Sequence, residues 1–300
     1  NTNDSNNDKG NGIENGSTLK GTITEDVTLK AGNTYKLSGE YIVEAGATLN
    51  IEEGVKIISI YDNIVDYILV KQGAKINAVG TPDKPIVMTS EKEEPGAWGG
   101  IHICGKAHTN AEGGKGSSEI GGAVYGGNDD ADNSGTLQYI RLEYTGFAFD
   151  EEHEANGISF YGVGNGTIVD HCEAYKGSDD GFEFFGGSVN VSNMVVVSCS
   201  DDSFDWTEGW NGKGTDLVAY QEAKATLGYD CDCLIEADNN ENDNAATPVS
   251  HPVLKNLILA GNGESKQGIR LRRGTQADID NAKVCGKGQP LVVESALTNA

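Results

Sequence analysis

Short runs in which apolar and polar residues alternate recur along most of the chain, and Gly, Asn or Asp closes each run. In the first hundred or so residues they occupy positions 22–29, 47–51, 75–79, 86–89 and 101–103. Successive side chains of a β-strand point to opposite faces, so a period of two predicts half-buried strands. No helical period competes with it. The pattern predicts an all-β fold.

A loose repeat becomes visible from about residue 135. It runs through GTLQYIRLEYTG, GTIVDHCEAYKG, GSVNVSNMVVVSC, KGTDLVAY, HPVLKNLILAGNG and ADIDNAKVCG. A second, shorter strand follows each run. Aligning the shorter strands by their first inward apolar residue gives one column, made of Ile158, Phe182, Phe204, Ile235 and Ile269.

The intervals in this column are 24, 22, 31 and 34 residues, so the unit varies in length by insertions at turns. Strand-only units of this size predict a solenoid, specifically a single-stranded right-handed parallel β-helix. A β-sandwich is the alternative. It would require two-residue hairpin turns, whereas the links in this chain are longer and irregular.

The register of the short strands predicts what one face of the solenoid presents. If the first column points inward, the next residue of each strand points outward, and so does the residue two positions further on. The two outward columns are Ser159, Glu183, Asp205, Glu236 and Arg270, then Tyr161, Phe185, Thr207, Asp238 and Arg272. This face therefore has an aromatic end with exposed rings, an acidic middle and a basic end. We expect no histidine in these columns.

More acidic residues precede the short strands, at the corners of the coils. Ser178-Asp179-Asp180 and Ser200-Asp201-Asp202 occupy matching positions, and Asp232 occupies the corresponding site one coil later. Stacked carboxylates require a cation, a raised pKa or rotation apart. Alternatively, short acidic residues at corners cap backbone N–H groups. Both interpretations remain open.

Three of the four arginines, Arg270, Arg272 and Arg273, fall within four residues. Their guanidinium groups suit two roles: an ion-pair network with the acidic columns, or a site for an anionic ligand.

Residues 105–135 show no periodicity and predict a loop insertion. Within it, Asp130 and Asp132 imitate the first positions of a calcium loop. Position 12 of such a loop would be Arg141 instead of Glu, so the segment is not an EF-hand. We retain Asp130 and Asp132 as candidate metal ligands, with a flexible acidic loop as the alternative.

The six cysteines do not complete a zinc set, although Cys231 and Cys233 are closely spaced. Buried thiols and one or two disulfides are both compatible with the sequence. Residues 1–18 are almost entirely polar and predict a flexible tether, whereas residues 19–300 predict one β-helix domain.

A net charge of −24 repels the phosphate backbone, which argues against a nucleic-acid partner. No stretch has the length and apolar character of a transmembrane span. No dinucleotide or phosphate-binding fingerprint is present, so we expect no nucleotide or organic cofactor.

Several segments resemble known families. GATLNIEEGVKI, GAKINAVGTPDKPIVMTS and AWGGIHICGKA resemble the first coils of right-handed parallel β-helix proteins exported to bacterial surfaces. KGSDDGFEFFGG, DDSFDW, IEADNNE and LRRGT resemble later coils of an uncharacterised lipoprotein-type group among them. The resemblance implies export, either as an outer-membrane lipoprotein at the cell surface or as an extracellular protein. Membrane contact would then come only through a lipid anchor.

The leading expectation for function is a surface module that binds carbohydrate or another extracellular ligand along the charged face. The candidate ligand-binding residues are Tyr161, Phe185, Asp179, Asp180, Glu183, Asp201, Asp202, Asp205, Glu236, Asp238, Arg270 and Arg272. The same face could serve a polysaccharide hydrolase or a calcium-dependent lyase. Its Asp-Asp and Arg-Leu-Arg elements resemble those of β-helical polygalacturonases, although the Gly-His-Gly element of that family is missing. A structural spacer or adhesin is the third alternative, and calcium is the one cofactor we expect.

Overall fold

The computed structural model describes residues 12–150, 153–264 and 266–299. The first coils contain β1 (Gly12–Ile13), β2 (Thr18–Ile23), β3 (Val27–Leu29), β4 (Thr34–Val43), β5 (Thr48–Ile51), β6 (Lys56–Ser59), β7 (Tyr67–Val70), β8 (Lys75–Val79), β9 (Ile86–Ser90) and β10 (Ile101–Cys104). The insertion that follows contains a 3₁₀ turn (Glu112–Gly114), β11 (Gly116–Ser117) and β12 (Val124–Tyr125).

The later coils consist of long strands, short strands and one four-residue helix. They are β13 (Gly135–Glu143), β14 (Ala148–Asp150), β15 (His153–Glu154), β16 (Ile158–Tyr161), β17 (Ile168–Tyr175), β18 (Phe182–Phe185), β19 (Asn190–Val197), β20 (Phe204–Thr207), β21 (Lys213–Tyr220), α1 (Lys224–Leu227), β22 (Ile235–Ala237), β23 (Val253–Ala260), β24 (Gln267–Leu271), β25 (Asp278–Cys285) and β26 (Gln289–Val293).

Twenty-two of these strands form one continuous sheet that winds around the molecule. Each strand pairs in parallel with the equivalent strand of the next coil, as β16 does with β18 and β18 with β20. Within the described residues, the antiparallel pairs are β11 with β12 and β14 with β15. This arrangement is the right-handed parallel β-helix that the sequence predicts, so the predicted fold class is confirmed.

The predicted register of the short strands is also confirmed. Ile158 pairs with Phe182, Phe182 with Phe204, Phe204 with Ile235, and Ile235 with Ile269. The outward column follows the same pairing, so Glu183 stands next to Asp205, and Glu236 stands between Asp205 and Arg270.

Aromatic side chains fill the interior behind these strands. The rings of Phe160 and Phe184 stack at 5.0 Å, and Trp210 stacks on Phe184 at 4.1 Å. These side chains are all buried in the main core, where their removal from water stabilises the coils. The packed interior holds the short strands at a fixed spacing, and their outward side chains are fixed with them.

The long strands share a bend that the sequence analysis did not predict. One residue in each has a positive φ of 51–58° and lies between two segments of regular pairing: Tyr139, His171, Asn193, Asp216, Asn256 and Asn281. Asn and Asp tolerate this conformation better than most residues. The Asn256 amide donates to Asp216 Oδ1 at 3.1 Å and accepts from Asn281 at 2.8 Å. The bends therefore stack into a ladder of side-chain hydrogen bonds.

The predicted tether falls mostly on residues 1–11, which lie outside the described residues. Gly12–Ile13 pairs with β3, and the Tyr35 hydroxyl donates to the Ile13 carbonyl at 2.8 Å. The six cysteines are free thiols, and five of them are buried. No helix in the described part of the chain is long and apolar enough to cross a membrane.

Candidate functional site

Six carboxylates from two successive coils meet on the face formed by the short strands. This acidic cluster consists of Asp179, Asp180, Glu183, Asp201, Asp202 and Asp205. Asp179, Asp180 and Asp202 are buried, and the other three are partly buried. The corner preceding β18 supplies one Asp pair and the corner preceding β20 supplies the other. The two strands themselves contribute Glu183 and Asp205.

Capping explains part of this arrangement. Oδ1 of Asp180 accepts from the backbone N–H of Asp202 at 3.0 Å, and Oδ1 of Asp202 accepts from the N–H of Cys233 at 2.8 Å. Each carboxylate thus satisfies a buried donor one coil further along. The capping interpretation holds for these two residues, and it involves one oxygen of each.

Carboxylate oxygens within the cluster approach one another closely. Oxygens of Asp179, Asp180 and Asp201 lie within 4.8 Å of one another, as do oxygens of Asp180, Asp202 and Asp205. A third group within the same distance combines Asp202 with Asp232 and the thiol of Cys233. Asp180 and Asp202 therefore each belong to two of the three groups.

Burial is the main reason that these carboxyls hold their protons strongly. Removal from water raises the pKa of Asp180, and the neighbouring charges of Asp179 and Asp205 raise it further. Burial also raises the pKa of Asp205, with added repulsion from Glu183 and Asp202. The pKa of Asp201 rises to about 6 through burial and the charge of Asp232. These carboxyl groups therefore retain protons at pH values at which an exposed Asp is ionised.

The acidic cluster lacks a cationic partner among the described residues. In the parts of the chain that the structure describes, no lysine, arginine or histidine forms an ion pair with any of its six carboxylates. Lys266, Arg270 and Arg272 instead pair with Asp232, Glu236 and Asp238. Buried carboxylates without a counter-charge are costly, so protons or a bound cation must neutralise some of them.

The donor atoms of the cluster are of the kind that calcium binds. Calcium binds oxygen ligands at about 2.3–2.6 Å, so oxygens across such an ion lie about 5 Å apart or less. Within each of the two carboxylate groups, the oxygens are close enough to one another to be ligands of one such ion. Asn156 adds a buried amide beside Glu183. Its nitrogen donates to Glu183 at 2.8 Å, whereas its oxygen has no hydrogen-bond partner among the described residues.

A groove runs over the cluster and has two connected parts. One part has a volume of about 700 Å³ and extends toward Asp238 and Arg272. The other, of about 620 Å³, lies over Asp179, Asp180 and Asp201. Glu119, Glu183, Asp205 and Glu241 line both parts, which makes them one continuous groove. The insertion after β10 and the loop after β22 form its walls.

Glu208 fastens the insertion to the coils. Its carboxylate accepts from the Thr109 hydroxyl at 2.7 Å and from the Tyr125 hydroxyl at 2.8 Å. Glu208 has a φ of 57°, and the residues that follow the paired strand ends in the two preceding coils are Gly162 and Gly186. A non-glycine residue in this conformation is strained. The sequence analysis missed Glu208, although its place in a glycine column is a visible signal.

The prediction that Tyr161 and Phe185 are exposed is wrong. Both residues occupy the predicted outward positions of their strands, but their side chains are only 0% and 6% exposed. They stack on each other at 4.5 Å, and Ile120 and Tyr125 of the insertion pack with them in a second, smaller core. The hydrophobic effect draws the insertion over these rings. Tyr161 is therefore inaccessible to a ligand, whereas Phe185 reaches the edge of the groove.

The expectation that no histidine lies in these columns is also wrong. His102 pairs with Ser159 and extends the outward column by one coil. Burial lowers the pKa of His102 to about 4, and its Nε2 lies 2.7 Å from the Gly99 carbonyl, so the ring is neutral and Nε2 donates. The insertion after β10 lies between the two strands in the sequence, so the repeat was not recognised across it. Comparing GIHICG with GISFYG would have revealed it.

The basic end forms an ion-pair network. Arg270 pairs with Glu236 at 3.0 Å and with Glu294 at 3.2 Å. Arg272 pairs with Glu236 at 3.1 Å and with Asp238 at 2.7 Å. Of the two roles open from sequence, the geometry corresponds to the network, which occupies both guanidinium groups with carboxylates.

Comparison with known families adds to this description. The model of the pectate-lyase-like β-helix domain matches residues 21–300, which is most of the chain. The chain belongs to the pectate-lyase-like β-helix domain family. No curated protein matches it. Membership in this family fits a role that involves polysaccharide, and it does not distinguish among binding, cleavage and a spacer role.

The predicted calcium ligands of the insertion lie apart from the acidic cluster of this pectate-lyase-like domain. Asp130 accepts from the backbone and the ring of His108, at 3.1 and 2.8 Å. Asp132 accepts from the N–H of Lys106 at 2.8 Å. Both carboxylates therefore anchor the insertion. A calcium ion at these two residues stays a prediction.

Proposed function

We propose that this protein binds a polysaccharide in the groove over the acidic cluster, and that calcium ions held by the cluster mediate the binding. One observation carries the proposal: six carboxylates from two adjacent coils lie together, and no described cationic side chain pairs with them. Calcium would supply the missing positive charge and would present open coordination positions to sugar oxygens.

Protons and calcium compete for this cluster. Burial and mutual repulsion raise the pKa values of Glu183, Asp202 and Asp205, so without a metal the cluster retains protons. A divalent cation reverses that balance because it stabilises the ionised carboxylates. Calcium affinity is therefore expected to rise with pH between about 5 and 8.

The arginine network supports binding over lyase chemistry. A calcium-dependent lyase needs a base near the metal, and the sequence offered Arg270 for that role, with Arg272 two residues further on. Each holds two carboxylates in ion pairs, which keep the guanidinium groups charged and occupied. Neither is free to take a proton from a substrate in this geometry.

Hydrolysis is the second candidate, and two pKa shifts favour it. Burial raises the pKa of Glu119 to about 7, with added repulsion from Glu154, and the pKa of Asp201 to about 6. Glu119 faces the cluster from the insertion, and both residues line the same part of the groove. Carboxyl groups that titrate near neutral pH are suited to the general acid and base roles of glycoside hydrolysis.

The deciding experiment incubates the full chain with neutral and acidic polysaccharides, with calcium or with EDTA. Retention by affinity electrophoresis measures binding, while new reducing ends and unsaturated uronates report hydrolysis and elimination. We expect retention of at least one polysaccharide in calcium, with at least about tenfold weaker binding in EDTA. New reducing ends without unsaturation would replace the binding proposal with hydrolysis.

The matched variants are Asp180→Asn combined with Asp205→Asn, and Asp83→Asn as a control on an exposed loop outside the groove. The double variant should lose calcium affinity by isothermal titration calorimetry and lose retention, whereas the control should keep both. Equal retention of all three proteins, or no retention of any polysaccharide by the unmodified chain, would contradict the proposal and favour a spacer.

A further inference from the structure

A second cavity lies on the same edge of the solenoid, in the coils that precede the acidic cluster. It has a volume of about 430 Å³, and we call it the aromatic pocket. Its lining residues come from three successive corners: Ile60, Tyr61, Asn63, Ile64, Lys92, Pro95, Gly96, Ala97 and Phe147.

Hydrogen bonds connect the corner of this pocket to the corners of the acidic cluster. The Gly96 and Ser178 N–H groups both donate to the Thr145 carbonyl, at 2.8 and 2.9 Å. Ser200 then donates from its hydroxyl to the Ser178 carbonyl at 2.7 Å. The first two steps lead from Gly96 to the corner that holds Asp179 and Asp180, so with coils about 4.8 Å apart the pocket lies roughly 10 Å from the cluster along the solenoid axis.

Large apolar side chains are exposed in and beside this pocket. Tyr61 and Ile64 are 55% and 59% exposed, and Phe149, which contacts Phe147 edge-to-face at 5.3 Å, is 54% exposed. The Lys92 ammonium lies 4.6 Å from the centre of the Tyr61 ring and 3.2 Å from its hydroxyl. Clustered exposed rings next to polar groups are typical of binding surfaces.

The charges around the pocket narrow the choice of ligand. Lys92 pairs with Glu94 at 3.2 Å, and the Glu91 carboxylate accepts from the Tyr61 N–H at 3.4 Å. Asp62 and Glu93 flank these residues in the sequence. An anionic group in the pocket would face this excess of carboxylates. An uncharged ligand with many hydroxyls would find acceptors in the carboxylates and donors in Lys92 and Asn63.

We propose that the aromatic pocket is a second sugar-binding subsite, which takes an uncharged sugar ring of the polysaccharide that the groove binds. The inference rests on the proposed function, and it narrows the substrate class to polysaccharides that contain neutral rings. The apolar face of the ring packs against Tyr61 and Phe147, and its hydroxyls bond to the surrounding polar groups. The shared edge lets one extended chain reach both sites.

The test measures the subsite without the acidic cluster. Saturation-transfer NMR on the full chain in EDTA uses three probes: cellotriose, galactotriose and trigalacturonate. We expect transfer to at least one neutral trisaccharide and little to trigalacturonate. Tyr61→Ala should weaken that binding roughly five- to tenfold, and Tyr61→Phe should retain it. Tyr220→Ala is the matched control, because Tyr220 is 51% exposed and lies outside the pocket.

The outcomes separate this inference from the proposed function. Absence of transfer to either neutral probe, preference for trigalacturonate, or equal binding by Tyr61→Ala would overturn the subsite. Polysaccharide retention that needs calcium and the acidic cluster would still support the groove in those cases. Conversely, binding of a neutral trisaccharide that depends on Tyr61, together with no calcium-dependent retention of any polysaccharide, would support the pocket. The same result would refute the calcium-mediated site.

Discussion

The basic end of the outward columns and the acidic cluster differ in how their carboxylates are neutralised. At the basic end, each carboxylate of Glu236 and Asp238 accepts from an arginine. In the acidic cluster, backbone N–H groups satisfy one oxygen each of Asp180 and Asp202, and no described cationic side chain supplies a counter-charge. The carboxylates of the basic end are therefore neutralised by arginines of the same chain, whereas the acidic cluster depends on protons or an added cation.

Arg272→Met tests the structural role of the basic end. Arg272 is 20% exposed and bridges Glu236 and Asp238, which are 15% and 12% exposed. Methionine preserves much of the packing but removes one of the two arginine partners of each carboxylate, leaving Glu236 with Arg270 and Asp238 with Arg273. We therefore expect a loss of about 1–2 kcal/mol in the free energy of unfolding. Urea denaturation measures it.

The matched comparison combines Arg272→Met with Glu236→Gln. Removal of the Glu236 charge should recover part of the loss, because fewer carboxylates then share the remaining arginines. An unchanged free energy of unfolding in Arg272→Met alone would mean that solvent already screens this network.

At the scale of the strand, the positive-φ bends turn each long strand in the same place. Their side chains bridge successive coils, so each bend contributes both a turn and a contact to its neighbours. These bends set the cross-section of the solenoid, and the short strands with the acidic cluster are placed on the adjoining side.

Asn256→Val and Asn256→Gly separate the two contributions. Valine is strained at a φ of 58° and removes both hydrogen bonds, so we expect a loss of about 2–3 kcal/mol. Glycine removes the same hydrogen bonds without the steric cost, so its loss should be smaller. Chemical denaturation of the two variants gives the comparison. Equal losses would show that the backbone conformation carries no cost at this position.

Sequence patterns predicted the elements that depend on neighbouring residues and missed those that depend on distant ones. The column from Ile158 to Ile269 was predicted correctly because alternation and glycine punctuation are local signals. The burial of Tyr161 was not, because it depends on an insertion that closes over the strand from another part of the chain. The bends at Asn193 and Asn256 left a signal in the aligned repeats, but it required comparing strand interiors instead of strand ends.

For the whole molecule, the net charge of −24 and the raised carboxyl pKa values make stability depend on pH. The ordinary pKa of an aspartate is 3.8, and the fold raises that of Asp201 to about 6. Between these values the folded state binds more protons than the unfolded state, so its stability falls as pH rises. Glu119, with a pKa raised to about 7, extends the fall toward neutral pH.

Thermal unfolding in EDTA should therefore give a lower Tm at pH 8 than at pH 5. Calcium should raise the Tm more at pH 8, where the cluster has released its protons. The double variant Asp180→Asn with Asp205→Asn should show a flatter dependence on pH and a smaller effect of calcium. A Tm in EDTA that rises from pH 5 to pH 8 would refute this account of the cluster.

The constant distance between coils has a further consequence for any long ligand. Backbone hydrogen bonds set the spacing of the outward column, whichever side chains it carries. A polymer lying along the solenoid axis meets an Asp pair and a third carboxylate in each of the two coils of the acidic cluster, so two alignments one coil apart have comparable energies. Such a ligand can shift by one step while its other contacts hold, which favours slow release and sliding over complete dissociation.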